Sequence, residues 1–150
     1  MRIYEIKLTY NLIQSGPAEA LNCAAKVVAY MQGAFDAYPE QEMCYLICLN
    51  RKLKPTARIM ITLGTQSASL LTPREFYRAA IAASASTVIA VHNHPSGHPG
   101  PSHADIQVTR QLRECGRILD IPLEDHIVIG TKEDDPLGLG YFSFREQGLI

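Results

Sequence analysis

The chain has 150 residues, the size of one domain with one core, and 47% hydrophobic against 19% charged residues excludes a disordered polypeptide. A formal net charge of −1 gives no bulk electrostatic grip on nucleic acid. No apolar run approaches the roughly 18 residues that span a bilayer, and Met1–Tyr10 lacks the apolar core of a signal peptide, so a cytoplasmic location without membrane attachment is expected.

Taken in order, Ile3 to Tyr10 suits a short strand, and Ser15-Gly16-Pro17 makes the first break. Pro17 fits a first helical turn, and Leu21, Ala24, Ala25, Val28 and Met31 recur at helical spacing, which predicts a helix over 17–32. The Tyr38-Pro39 step ends that region. Met43 to Leu49 is an apolar run of strand length, Asn50 to Thr56 a polar turn, and Arg58 to Leu63 a second strand closed by Gly64, together a β-hairpin. Arg51, Lys52, Lys54 and Arg58 make this hairpin tip basic, which suits a solvated turn better than a phosphate-contacting patch. Thr72-Pro73-Arg74-Glu75 has the form of a capping box with proline at the first helical position, and predicts a helix over 73–84.

Thr87 to Val91 is apolar on both faces, as in the middle of a covered sheet, and His92-Asn93-His94 stands at its end. A loop rich in proline and glycine follows (Pro95, Gly97, Pro99, Gly100, Pro101), and Ser102 opens another helix with Ile106, Leu112 and Ile118 along it. Ile127 to Ile129 is a further strand, and Tyr141 to Phe144 adds one more. This order predicts one mixed sheet with helices on its faces. The cysteines Cys23, Cys44, Cys48 and Cys115 form no CxxC pair and are expected as buried free thiols; Cys44 and Cys48, on one face of a strand, leave a metal or redox pair as the lesser alternative.

Four of the five histidines fall between His92 and His103. On a strand, residues two apart point to one side, so His92 and His94 can reach one ion. Asp105, at the fourth position of Ser102-His103-Ala104-Asp105, can add an oxygen ligand if the loop doubles back, leaving a fourth tetrahedral position open, as in a catalytic zinc site. Ser102 and Asp105 also suit a plain helix N-terminus, a hydroxyl cap with an acid near the positive end of the dipole, and both roles can coexist. His98 and His103 suit exposed positions. His126, beside Asp125, suits a hydrogen-bonded structural histidine, with support of a ligating ring as the alternative.

His92-Asn93-His94-Pro95-Ser96-Gly97, then Pro101-Ser102 and Asp105, resembles the JAMM signature in the form found in RadC-like proteins. Asn50-Arg51, Gly64-Thr65, Pro73-Arg74-Glu75, Leu123 to Gly130 and Ser143-Phe144-Arg145-Glu146 extend the resemblance over about residues 42–150. It implies an α/β fold of the MPN/JAB (cytidine-deaminase-like) type, a mixed sheet flanked by helices. Residues 41–150 would form the RadC-like domain, and residues 1–40 an N-terminal strand and helix of the same domain. The helix-hairpin-helix segment that often precedes such domains finds no room, as in a short form.

By that resemblance the chain is a zinc metallopeptidase that hydrolyses an amide or isopeptide bond with a zinc-bound water. One Zn2+ would be held by His92, His94 and Asp105, Ser102 would orient the water or the oxyanion, and Pro95 and Gly97 would shape the loop. The family's catalytic glutamate aligns best with Met60, which cannot take a proton, so no general base is found. Glu42 should pair near Gly64, about 13 Å along the strand from Met60, and is set aside as too distant.

Three readings follow: a zinc metallohydrolase on an unknown peptide or protein, a catalytically impaired binding scaffold, and a DNA-repair or mobile-element protein. The near-neutral charge disfavours the third, and the contiguous His-Asn-His is not the dispersed motif of HNH nucleases. A homodimer is left open.

Overall fold

The computed structural model describes all residues except 6, 8, 10, 13, 14 and 65–70. Among the described residues the elements are α1 (Ala24–Tyr30), β1 (Met43–Leu49), β2 (Pro55–Leu63), α2 (Pro73–Ala82), β3 (Thr87–Asn93), α3 (His103–Leu119), β4 (Leu123–Ile129) and β5 (Tyr141–Ser143). The strands form one mixed sheet in the order β2-β1-β3-β4-β5. β3 and β4 run parallel, joined through α3, while the other neighbours are antiparallel.

Strand alternation divides the core into two layers. Leu46, Cys48, Val88 and Ala90 face α2 and α3 and pack with Phe76, Tyr77, Ala80 and Leu112. Ile47, Leu49, Ile89, Val91 and Ile127 face the other way, against Leu21, Ala24, Val27 and Met31 of the α1 segment. β3 is buried along its whole length because both its faces are covered. It runs two residues beyond the expected Val91, since His92 pairs with both Cys44 and Val128, and Asn93 with Ile129.

The N-terminal region departs from expectation. The helix begins at Ala24 rather than at Pro17. Cys23 is extended, and the Leu21 N–H donates to the Leu53 carbonyl at 2.8 Å, so the chain before the helix ties to the hairpin turn. Leu21 therefore reaches the core as an anchor outside the helix. Of the expected strand Ile3–Tyr10, residues 6, 8 and 10 lie outside the described residues, and the others carry no strand. Thr65 of the Gly64-Thr65 step also lies outside them.

The helix ends follow their local chemistry. Thr72 Oγ1 accepts from the Glu75 N–H, and Pro73 occupies the first turn of α2. Ser102 and Asp105 form a full capping box at α3: Ser102 Oγ accepts from Asp105 N at 3.1 Å, and Ser102 N donates to Asp105 Oδ2 at 2.7 Å. Among the described residues no helix is long and apolar enough to cross a membrane.

Candidate metal centre

His92 belongs to the same face of β3 as Val88 and Ala90, so its ring lies under α3. Glu42, His92, His94 and Asp105 come together there, each offering one ligand atom within 4.8 Å of the others. Of these, Glu42, His92 and Asp105 are buried. The loop after His94 doubles back so that the first turn of α3 faces the strand end. It is pinned to the end of β4 by His94 N to the Ile129 carbonyl, at 2.8 Å, and by Thr131 N to the Gly97 carbonyl, at 2.7 Å. Gly97 holds φ +87°, a left-handed conformation that favours glycine. Pro95 lies half-buried in the same turn.

The spacing of the donors fits a four-coordinate cation. His92 Nε2 lies 3.2 Å from Asp105 Oδ1, His94 Nε2 lies 3.3 Å from Asp105 Oδ2, and the two Nε2 atoms are 3.1 Å apart. A tetrahedron with bonds of about 2.0–2.1 Å has edges of about 3.3 Å. The protons agree with this geometry. His94 Nδ1 donates to the His98 carbonyl at 2.9 Å, which leaves Nε2 as a lone pair. With His94 Nε2 bare, it converges with His92 Nε2 and the Asp105 carboxylate at separations of 3.1–3.3 Å, an arrangement that suits a cation.

The charges are correspondingly displaced. Burial by itself would raise the Asp105 carboxyl, but the adjoining His92 and His94 rings and the Ser102 N–H hold it far below the usual carboxylate range. Burial lowers His94, yet the adjoining Asp105 carboxylate, the His98 carbonyl and the Glu42 charge leave it above an ordinary histidine.

Glu42 corrects the sequence-based expectation. Its pairing is as expected, because Gly64 N donates to the Glu42 carbonyl at 2.8 Å. The error lay in measuring from Met60 on β2. β1 is also paired with β3, where Cys44 sits opposite His92. Glu42, two residues before Cys44, shares that face and reaches the histidines across the other edge of β1. Met60 alternates away from Ile59 and Ile61, which pack toward α2 and α3, and it is 44% exposed. It therefore points off the opposite face of the sheet from the cluster.

Asn93 holds Glu42 in place. Its Oδ1 accepts from Met43 N at 2.7 Å, and its Nδ2 donates to the Gln41 carbonyl at 3.0 Å, so one side chain clasps the backbone on both sides of Glu42. The sequence signal was the matched spacing Glu42-x-Cys44 and His92-x-His94, legible once β1 is paired with β3.

The other candidates fall around this centre. Ser102 is exposed at the α3 cap. His98 is exposed, with Nδ1 accepting from Gly100 N, and His103 is exposed beside Gln107. His126 is fully buried between α3 and the sheet, bonded to His92 Nδ1 at 2.8 Å and to Thr109 Oγ1 at 2.6 Å, with the Phe144 ring stacked on it. Cys44 and Cys48 are buried free thiols, as expected, whereas Cys23 is exposed and Cys115 half-buried; burial pushes Cys44 far up and Cys48 up to about 11. Of the basic residues expected at the hairpin tip, Arg58 lies within β2, over the Tyr30 and Tyr45 rings, and donates to the Tyr30 carbonyl.

The family described as RadC-like JAB domain matches residues 21–149. The chain belongs to this family. The match takes in α1, which the quoted motifs did not reach, and the mixed sheet with flanking helices is the α/β architecture of a JAB/MPN fold. Similar proteins include the UPF0758 protein of Thermotoga maritima, 43% identical over 132 residues, covering 88% of this chain and 55% of that protein. The UPF0758 protein of Geobacillus kaustophilus is 37% identical over 147 residues, covering 97% and 62%. That of Chlorobium luteolum is 41% identical over 127 residues, covering 85% and 53%. The chain thus spans a little over half the length of these curated relatives.

Proposed function

We propose that this RadC-like JAB domain is a zinc-dependent hydrolase of amide or isopeptide bonds. The observation that supports it is Glu42, a buried carboxylate beside the two imidazoles and Asp105. A metal with three protein ligands and a neighbouring acid is the donor set of a hydrolase, whereas a purely structural zinc is closed by four ligands. His92, His94 and Asp105 would hold the ion. Zinc supplies Lewis acidity toward the substrate carbonyl and a more acidic water.

Glu42 then serves as the base. Its carboxylate takes the proton of the attacking water and returns it to the leaving amine, the two-way transfer that general acid–base catalysis requires. Asn93 fixes the carboxylate by fixing the backbone on either side of it. Ser102 Oγ is an acceptor within the capping box. Its own hydroxyl hydrogen can be donated to the oxygen that gains charge as the carbonyl carbon becomes tetrahedral.

The test compares Glu42→Gln with Met60→Glu. Zinc content is read by elemental mass spectrometry and turnover on a mixture of quenched linear and lysine-isopeptide substrates. Glu42→Gln should keep its zinc and lose about 10²–10⁴-fold in turnover. Met60→Glu should change neither. Loss of zinc in Glu42→Gln would make Glu42 a ligand instead of the base, and full activity would end its catalytic assignment.

A further inference from the structure

A chain of hydrogen bonds runs from the backbone of α3 to the ring of His92, and its direction can be read from the atoms. The Asp105 carbonyl can only accept. Thr109 Oγ1 lies 2.6 Å from it, and two oxygens so close require a hydrogen between them, so the Thr109 hydroxyl donates to Asp105. That leaves Thr109 Oγ1 as an acceptor toward His126 Nδ1 at 2.6 Å, and the His126 proton sits on Nδ1. His126 Nε2 is then a lone pair, and at 2.8 Å it accepts from His92 Nδ1. The His92 proton is thereby drawn to Nδ1, and its Nε2 is left bare, facing His94 and Asp105.

This order matters because Asp105 pulls the other way. Its Oδ1, 3.2 Å from His92 Nε2, is a strong acceptor and would favour a proton on Nε2. A ring protonated there cannot coordinate through that atom. We infer that Thr109 and His126 are positioning residues that hold His92 in its Nδ1-protonated tautomer and so aim its Nε2 lone pair into the metal centre. His126 serves as the link because its imidazole accepts at one nitrogen while donating at the other, and burial in a stack on Phe144 keeps it from turning. Asp125 fixes the strand beneath it, accepting from His126 N at 2.7 Å and from Ser143 Oγ at 2.6 Å. Asp105 thus acts at both ends of the chain: its carbonyl sets the proton order that its carboxylate opposes.

The inference rests on the metal reading, and its test separates the two. Long-range nitrogen–proton NMR of the metal-free protein, at a pH where the rings are neutral, reports which nitrogen of His92 carries hydrogen. Zinc affinity is measured by competition with a chromophoric chelator. Wild type should show His92 protonated at Nδ1. Thr109→Val, nearly isosteric, removes the acceptor for His126. His92 should then shift toward the Nε2-protonated form, and zinc should bind about 10–100-fold more weakly. Thr109→Ser restores the hydroxyl and should restore both properties. His126→Gln, whose amide can accept from His92 and donate to Thr109, should retain more affinity than His126→Phe, which keeps only the stack.

An unchanged His92 tautomer in folded Thr109→Val would overturn the inference, even if zinc affinity fell. Equal affinity for Thr109→Val and Thr109→Ser would overturn it as well. Should wild type bind no zinc, the metal reading fails, while the tautomers in the metal-free protein still decide whether the relay operates.

Discussion

Replacing Gly130 by alanine tests how firmly the loop after β3 is held. A Cβ built at Gly130 falls 2.1 Å from the Gly97 carbonyl oxygen and 2.9 Å from Gly97 C and Pro99 N. These neighbours are backbone atoms, so relief requires the loop to withdraw by about 1 Å, an overpacking cost of about 1–3 kcal/mol. The withdrawal also breaks the bond from Thr131 N to that carbonyl, worth about 1 kcal/mol. A loss of ~2–4 kcal/mol in a chain of this size lowers Tm by about 4–16 °C. The same loop supplies the His98 carbonyl that sets the His94 proton, so zinc affinity should fall by about 10–100-fold. Gly138→Ala is the control: φ there is +69° and nothing lies within 4 Å of the added Cβ, so it should cost only about 1 kcal/mol of backbone strain and leave zinc binding unchanged. Differential scanning fluorimetry and chelator competition provide both readouts. Gly130→Ala with wild-type Tm and wild-type zinc affinity would refute the claim that this contact shapes the site.

Other outcomes follow from the same geometry. Asn93→Ala should leave zinc affinity near wild type but cut turnover and cost about 1–3 kcal/mol or more in urea unfolding, because it strips partners from Met43 N and the Gln41 carbonyl. Zinc at about 100 times its Kd should stabilise the chelator-treated protein by ~2.7 kcal/mol, readable as a rise in Tm, and Asp105→Asn should abolish the rise. Asp125 gives a pH signature. Burial raises its carboxyl above the ordinary value of 3.8, outweighing bonds from Ser143, Arg145 and His126. Between that value and the raised one, the folded chain holds a proton that the unfolded chain has lost, so stability from this group grows as pH falls through the window. The unfolding free energy of wild type minus that of Asp125→Asn should therefore rise on acidification there, and a flat difference would remove the effect.

Much of the fold and of the site was legible because local chemistry decided it. The hydroxyl caps at Thr72 and Ser102, the apolar run before His92 and the spacing to Asp105 each have a short-range cause. What was missed depends on pairing between distant strands. Glu42 and His94 are 52 positions apart in sequence and meet only because β1 has β3 as well as β2 for a neighbour. No short-range signal marks Thr109, which meets His126 only where α3 lies over β4. The helix at Pro17 failed for a similar reason: Leu21 is buried by its tie to Leu53, and periodicity does not distinguish that from a helical face.

The double duty of Asp105 separates the tolerances of the acidic residues. Its carboxylate holds the Ser102 N–H at the start of α3 while facing the histidines, so its loss disturbs a helix end as well as a binding site. At Glu42 the main chain is held by Gly64 N on its own carbonyl and by the Asn93 contacts on either side. On the proposed reading, a substitution at position 42 should lower turnover while His92, His94 and Asp105 keep their arrangement.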